Sequence, residues 1–330
     1  MTTTLLIILL SHQGYWFGGQ DQMILLTPRG STQMVVRWRL ARDAASIANG
    51  QRTIDPKKTT NIHLLLPRAR ARCELLWSYR LAATDTGKEI EGGEITIHLF
   101  PPIDFSQAMN LGARRLVILD PTRQIATLLR WQNPRAKILE IADASQLETA
   151  RADILIIAPN SLEDSPLAQQ PVLRQAESGA QLVIFEQTRC KKLAGYAVTT
   201  RPSQDIFWNR SHALLCGLNE ADLNCWTEHE TLYSLQLPTD ASAEPLAWWP
   251  SQTPSKILMA IVPFGAGRVI FCQLPEPDLP ADPRCQTILR NSLIYFQSAG
   301  SVSPPNQYCA TQSAQAQLVS PTFPPAGVQP

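Results

Sequence analysis

The chain has 330 residues, with 29 Lys and Arg against 28 Asp and Glu, and is 44% hydrophobic and 17% charged. Those values allow a sizeable core and about two domains, and a formal net charge of +1 supplies no global field for nucleic acid or an anionic membrane surface. Seven cysteines without a C-x-x-C pair read as buried thiols in a reducing compartment rather than as a disulfide frame or zinc site.

From the first residue, Thr2-Thr3-Thr4 lead into the apolar run Leu5–Leu10. Six residues are far short of the ~20 that a membrane-spanning helix requires, and no basic segment precedes them as in a signal peptide. The run is expected to be a strand, and without a leader or transmembrane segment a cytoplasmic location is favoured. Met34–Leu40, Thr60–Leu66, Glu74–Leu81 and Glu94–Phe100 carry further strand signals, with turn chemistry at Asn49-Gly50, Asp55-Pro56, Thr86-Gly87 and Gly92-Gly93. Short strands at this spacing predict an all-β, immunoglobulin-like antiparallel sandwich over residues 1–102, closed by Pro101-Pro102.

Residues 103–300 read differently. Leu116–Leu119, Ile154–Ile157 and Leu182–Phe185, with weaker Lys137–Ile141, are apolar on both faces and alternate with helical segments. That pattern predicts an α/β domain, flavodoxin-like, with a doubly wound and mostly parallel sheet. Asp120-Pro121 is a helix start, with the helix running to about Gln132 before Asn133-Pro134. Pro159–Pro166 reads as a loop, and a helix is expected from Pro171 to Gly179. Beyond Cys190, strands are expected near Ala197–Thr200 and Ile206–Trp208, a short helix over Asn219–Trp226, and a hairpin of Lys256–Pro263 with Arg268–Leu274 around Gly265-Ala266-Gly267. A last helix starts at Asp282-Pro283 and turns Ile288, Leu289, Leu293 and Phe296 to one face. Residues 301–330, rich in Pro, Gln, Ser and Ala, are expected to be disordered.

Loops after the carboxyl ends of such strands are where chemistry would sit. The first of them, Leu119 to Arg123, has no glycine to cradle a pyrophosphate, and the G-x-G at Gly265–Gly267 lies between two strands. Asp120 reads as a helix cap before it reads as an acid or base. Neither G-x-S-x-G nor G-x-C-x-G occurs. Cys190, flanked by Arg189 and Lys191-Lys192, has a positive context that could lower a thiol pKa, with His212 or His229 as a base, but an ordinary loop cysteine is the favoured reading. Glu228 and Glu230 lack a barrel to present them as a glycosidase pair. His63 and His98 lack ligand spacing, so neither a metal nor another cofactor is expected. Trp248 and Trp249 suit either a sugar face or a core.

Val36–Leu40, Thr59–Leu64 and Leu76–Arg80 resemble a β-sandwich domain that follows the barrel in some bacterial glycoside hydrolase family 2-type proteins. Phe185-Glu186-Gln187, Ser211–Leu218 with Ala221-Asp222-Leu223 and Trp226, and Gly265–Leu274 resemble the module after it, which is similar to class I glutamine amidotransferase-like folds and to the trimerisation domain of β-galactosidases. The resemblance covers about residues 30–298. It implies a carbohydrate-metabolism context, yet the catalytic (β/α)8 barrel, typically ~250 residues, has no room here. Glu186-Gln187 stands where the amidotransferase nucleophile would be. The expectation is therefore a non-catalytic accessory or assembly module of a β-galactosidase-like enzyme. Its partners would be a catalytic barrel in cis or on a separate chain, further copies of itself, or carbohydrate, with neither nucleic acid nor membrane among them. Candidate substrate contacts are Glu186, Gln187, His212, Trp248 and Trp249. The alternatives are an amidotransferase-like hydrolase using Cys190 and His212, and an independent sugar-binding module.

Overall fold

Period-two alternation of apolar residues builds the first part of the chain. A computed structural model describes residues 4–9, 14–29, 33–56, 58–202, 206–224, 231–238, 242–249, 256–275 and 279–298, so residues 301–330 and the Glu228, His229 and Glu230 group lie outside the described residues. Among the described residues two compact units result, the first within 4–102 with 281–283 and the second within 103–280 with 284–298.

In the first unit, β1 (Thr4–Leu9), β3 (Asp21–Arg29) and β6 (Thr60–Leu65) form one antiparallel sheet in the order β1-β3-β6. A second sheet has the order β2-β8-β7-β4-β5, from β2 (Tyr15–Phe17), β8 (Glu89–Phe100), β7 (Cys73–Ala83), β4 (Met34–Arg42) and β5 (Ala45–Ile54). Alternate positions of both sheets supply a single core: Ile24 and Leu26 of β3, Ile62 and Leu64 of β6, Val36 and Leu40 of β4, Trp77 and Leu81 of β7, Ile97 of β8. Asn49-Gly50 and Gly92-Gly93 are not turns, as their composition suggested, but lie within β5 and β8. Gly50 faces Trp38 and Gly93 faces Tyr79 across the ladder. A Cβ at Gly50 would come within 2.6 Å of the Trp38 ring, and one at Gly93 within 2.7 Å of the Tyr79 ring. The glycines leave room for the aromatic rings, which lean over them. The β4–β5 turn falls at Asp43-Ala44, with Asp43 left-handed at φ 51°.

Among the described residues the second unit holds one mixed sheet of eleven strands. Its parallel part runs β10 (Ile138–Ile141), β9 (Leu116–Leu119), β11 (Ile154–Ile157), β12 (Gln181–Ile184), β19 (Gly267–Cys272). Every pairing beyond β19 is antiparallel: β18 (Lys256–Phe264), β16 (Thr231–Gln236), β14 (Tyr196–Pro202) and β13 (Lys192–Leu193), with β17 (Glu244–Trp248) on β18 and β15 (Phe207–Trp208) on β17.

This overturns the flavodoxin-like, doubly wound reading; the protein is mostly β-sheet. Only α1 (Gln124–Gln132) and α2 (Pro166–Glu177) are α-helical crossovers between consecutive parallel strands. The link from β10 to β11 contains only a 3-10 turn at Ala144–Glu148, and the chain passes through six other strands between β12 and β19. Apolar runs buried on both faces require a sheet covered on both sides, but they do not choose the direction of the neighbouring strand. The two-residue glycine turn at Gly265-Ala266 imposes antiparallel pairing on β18 and β19, and β19 then takes the seat beside β12.

Alternate residues divide between two cores. Leu116, Ile118, Ile154, Ile156 and Val183 pack with Ile125, Ala126 and Leu129 of α1 and with Ile288, Leu289, Leu293 and Phe296 of α3 (Pro283–Ser298). Val117, Leu119, Leu155, Ile157 and Leu182 pack on the other side with Val172 and Ala176 of α2. Helix starts also differ from expectation. Helix α2 begins at Pro166, a residue suited to a first helical turn, and carries Pro171 inside it.

Candidate functional site

The loops after β9, β11, β12 and β19 hold the polar groups on which any strand-end chemistry would depend. Asp120, 2% exposed, follows β9. Its Oδ1 accepts from the Thr122 amide at 3.0 Å and the Thr122 hydroxyl at 2.6 Å, while Oδ2 accepts from the Ile125 amide at 2.8 Å. Helix α1 starts three residues later than Asp120-Pro121 suggested, with Arg123 at its N-cap in the left-handed region and no side-chain cap there. Asp120 nevertheless reaches past Arg123 to satisfy an amide of the first turn. Asp120→Ala is expected to lower stability by about 2 kcal/mol, the upper end for lost caps, read as a fall in the urea midpoint.

Asn160, at φ 54°, donates its amide to the Glu186 carbonyl at 2.8 Å. Its Oδ1 accepts from the amide and the hydroxyl of Thr188, both at 2.8 Å. These bonds tie the loop after β11 to the loop after β12. Between them sits Gln187, fully buried. Its Oε1 accepts from the Leu162 amide at 2.9 Å, and its Nε2 donates to the carbonyls of Ala158 and Phe185, both at 2.8 Å. The Gln187 amide donates to Gln273 Oε1 at 3.1 Å, just past the end of β19. Glu186 is 8% exposed. Sequence reasoning singled out Glu186 and Gln187 but missed Asn160 and Gln273 as their partners. The only local signal was an Asn after Pro, which tolerates the left-handed region.

Cys190 lies in the core with Leu162 and Leu193. Its thiol donates to the Leu162 carbonyl at 3.6 Å and receives Gln169 Nε2 at 3.8 Å. Arg189, Lys191 and Lys192 do not activate it. Burial, with the Asp164 carboxylate adding to it, pushes the thiol up to about 11. In the folded protein Cys190 should resist alkylation at pH 8, gaining reactivity only as the pH approaches 11 or on unfolding; site-resolved mass spectrometry of iodoacetamide-treated protein checks this.

His212 belongs to a different group. Its Nδ1 accepts from the Leu214 amide at 3.2 Å, and its Nε2 lies 3.5 Å from Glu244 Oε1. The ring centroid is 5.6 Å from that of Tyr295. Burial holds the His212 pKa below the usual histidine value, against the pull of Glu244. Burial raises the Tyr295 pKa, while the charge of Arg268 opposes it. Arg268 is the second residue of β19, whereas Gln187 meets Gln273 beyond its end. The His212 group and the Gln187 group therefore gather toward opposite ends of that strand. Cys190 packs against one face of the sheet, and Leu214 and Leu215, which follow His212, pack against the other. The structure does not bring Cys190 and His212 together.

The two tryptophans separate as strand neighbours do. Trp249 is fully buried in one core. Trp248 packs against the other core, with its ring 6.1 Å from the half-exposed Phe207. Of the two tryptophans, only Trp248 is left partly exposed, beside Phe207. Among the described residues no cluster of three or more His, Cys, Asp or Glu could hold a metal ion, and no helix is long and apolar enough to cross a membrane.

No family model matches the chain, and neither does any curated protein. Among solved structures, the chain is similar to β-galactosidase from Bacillus circulans sp. alkalophilus, at 13% identity and a TM-score of 0.35 over 58% of this chain and 32% of that one. β-Galactosidase from Rahnella sp. R3 matches at 10% identity and a TM-score of 0.35, over 57% and 31%. A ThuA-like protein from Parabacteroides merdae ATCC 43184 matches at 8% identity and a TM-score of 0.34, over 58% of this chain and 90% of that one. The match spans about a third of each β-galactosidase. Distant structural neighbours include glycoside hydrolases, at low identity and partial coverage.

Proposed function

We propose that the chain is a non-catalytic accessory module of a β-galactosidase-like glycoside hydrolase, contributing packing or oligomer contacts to a catalytic barrel in cis or on a separate chain. One observation carries this reading. Glu186-Gln187 follows Phe185 just past the end of β12, where the resemblance would place a nucleophile, and the Gln187 side chain is spent on three main-chain groups. Asp120 is likewise committed, to Thr122 and Ile125. A carboxylate or amide held by main-chain amides and carbonyls is a structural brace, since proton transfer or attack would break the bonds that hold the loops. The carbohydrate context comes from the residue runs of the first unit, Val36–Leu40, Thr59–Leu64 and Leu76–Arg80.

The test is direct. The purified chain is incubated with nitrophenyl β-galactosides, β-glucosides and β-mannosides, and the expected rate equals that of buffer. Turnover that survives purification to homogeneity and disappears in a variant of this chain would sink the reading.

A further inference from the structure

We propose that the outer face of the second sheet of the first unit binds a carboxylated saccharide, with one uronic-acid-type carboxylate held between Arg37 and Arg80. The core-facing positions of β4 and β7 are Val36, Trp38 and Leu40, and Trp77, Tyr79 and Leu81. The residues between them turn outward, and there Arg37 stands directly opposite Arg80, with Arg39 opposite Ser78. Gly92 is the next partner beyond Arg80, and Glu94 beyond Ser78. These residues, with Glu89, line a groove of about 680 Å³, a volume within the range of small-molecule sites.

Its charge is only partly balanced from within. Arg37 Nε donates to Gln51 Oε1 at 3.2 Å, and Arg39 Nη2 donates to the Ala44 carbonyl at 2.9 Å. Neither guanidinium forms an ion pair with a carboxylate of the described residues. Arg80 is 3.9 Å from Glu89, with its side chain 77% exposed. Like charges placed directly across an antiparallel pair repel. A bound anion reverses that repulsion, and the planar guanidinium fork matches a carboxylate in particular. Gly92 keeps the floor open beside Arg80. A Cβ there would press within 3.2 Å of the Tyr79 carbonyl and 3.4 Å of Glu89 Oε1.

The rest of the lining identifies what surrounds the carboxylate. Glu89 and Glu94 accept hydrogen bonds and repel further negative charge, so a phosphate-dense polymer fits poorly. With Ser78 they suit hydroxyl groups on a ligand that carries one anionic group per unit. Reading that hydroxylated carboxylate as a saccharide rests on the accessory-module function above.

The test titrates the full chain with trigalacturonate and, separately, with its methyl ester, by calorimetry at low salt. Trigalacturonate is expected to bind, and the ester to bind at least about tenfold more weakly, as loss of a charge-assisted bidentate contact predicts. Arg37→Ala and Arg80→Ala should each weaken trigalacturonate at least about tenfold, with Arg37→Lys intermediate because it keeps charge but loses the fork. Arg115→Ala, in the second unit, should change nothing. Equal binding of acid and ester overturns the proposal. So do no binding of trigalacturonate, unchanged affinity in the arginine variants, or full competition by equimolar sulfate, which would mark an unselective oxyanion patch. Hydrolysis of nitrophenyl glycosides by a chain that still binds trigalacturonate would remove the accessory reading and leave the groove intact.

Discussion

Gly267→Ala should destabilise the second unit by about 3 kcal/mol or more, the upper range for overpacking a closed site. The added Cβ would lie 2.1 Å from the Ala180 carbonyl oxygen and 2.6 Å from that of Ala176. Both are main-chain atoms, so no side-chain rotation relieves the overlap, and β19 must separate either from β12 or from the end of α2. The turn beside it is similarly constrained. Gly265 has φ 59° and stands where a Cβ would come within 2.5 Å of Glu177 Cα, and the Ala266 amide donates to the Glu177 carbonyl at 3.1 Å. The hairpin turn thus satisfies a carbonyl that α2 leaves open at its carboxyl end. This assigns the G-x-G pair to helix–sheet packing in place of a phosphate. Gly195→Ala is the control: φ is 86° there, but nothing lies within 4 Å, so only the left-handed backbone penalty of roughly 1–2 kcal/mol applies. Urea midpoints followed by tryptophan fluorescence should rank wild type, Gly195→Ala, then Gly267→Ala. A Gly267→Ala protein that unfolds with the wild type would refute the close approach.

The same two glycines show where sequence is informative and where it is not. The hairpin they mark is readable locally, because its strands are apolar and its turn needs glycine. That β19 also pairs with β12, through Gln181 and Arg268, is not local at all. Strand direction depends on which distant run meets an open edge, and the apolar runs Leu116–Leu119, Ile154–Ile157 and Leu182–Phe185 look the same under either arrangement. The doubly wound expectation failed on that point. In the first unit, glycine was misleading for a different reason: Gly50 and Gly93 serve the rings of Trp38 and Tyr79 across a ladder, an interaction with no signature along the chain. The candidate site divided in the same way. Asp120 could be read as a cap, since its partners lie within five residues. Gln187 could be located but not explained, because its partners belong to Ala158, Leu162 and Gln273.

Gln187 therefore gives the sharpest test of a structural role at a strand end. Gln187→Met keeps the shape and deletes every side-chain hydrogen bond. The Leu162 amide and the Phe185 carbonyl then lose their partner, while the Ala158 carbonyl keeps only the Ser161 amide at 3.3 Å. Each unsatisfied buried group costs about 1–3 kcal/mol, and because they share one site the expected sum is near 4 kcal/mol. Gln187→Glu separates the donor from the acceptor role. One oxygen can still accept from Leu162, but an ionised second oxygen would face two carbonyls. Burial and those carbonyls favour the protonated acid, so the folded-state pKa of the introduced group lies above its unfolded value of about 4.3. Stability linked to that group is then fully present below the unfolded pKa and is lost as pH rises through the folded one. The urea midpoint of Gln187→Glu should fall further below wild type at pH 8 than at pH 5, while the deficit of Gln187→Met should not change with pH. Parallel deficits in the two variants would mean that the amide nitrogen does not donate to Ala158 and Phe185. A strand end whose amide is bonded through both of its polar atoms is built to hold two loops together.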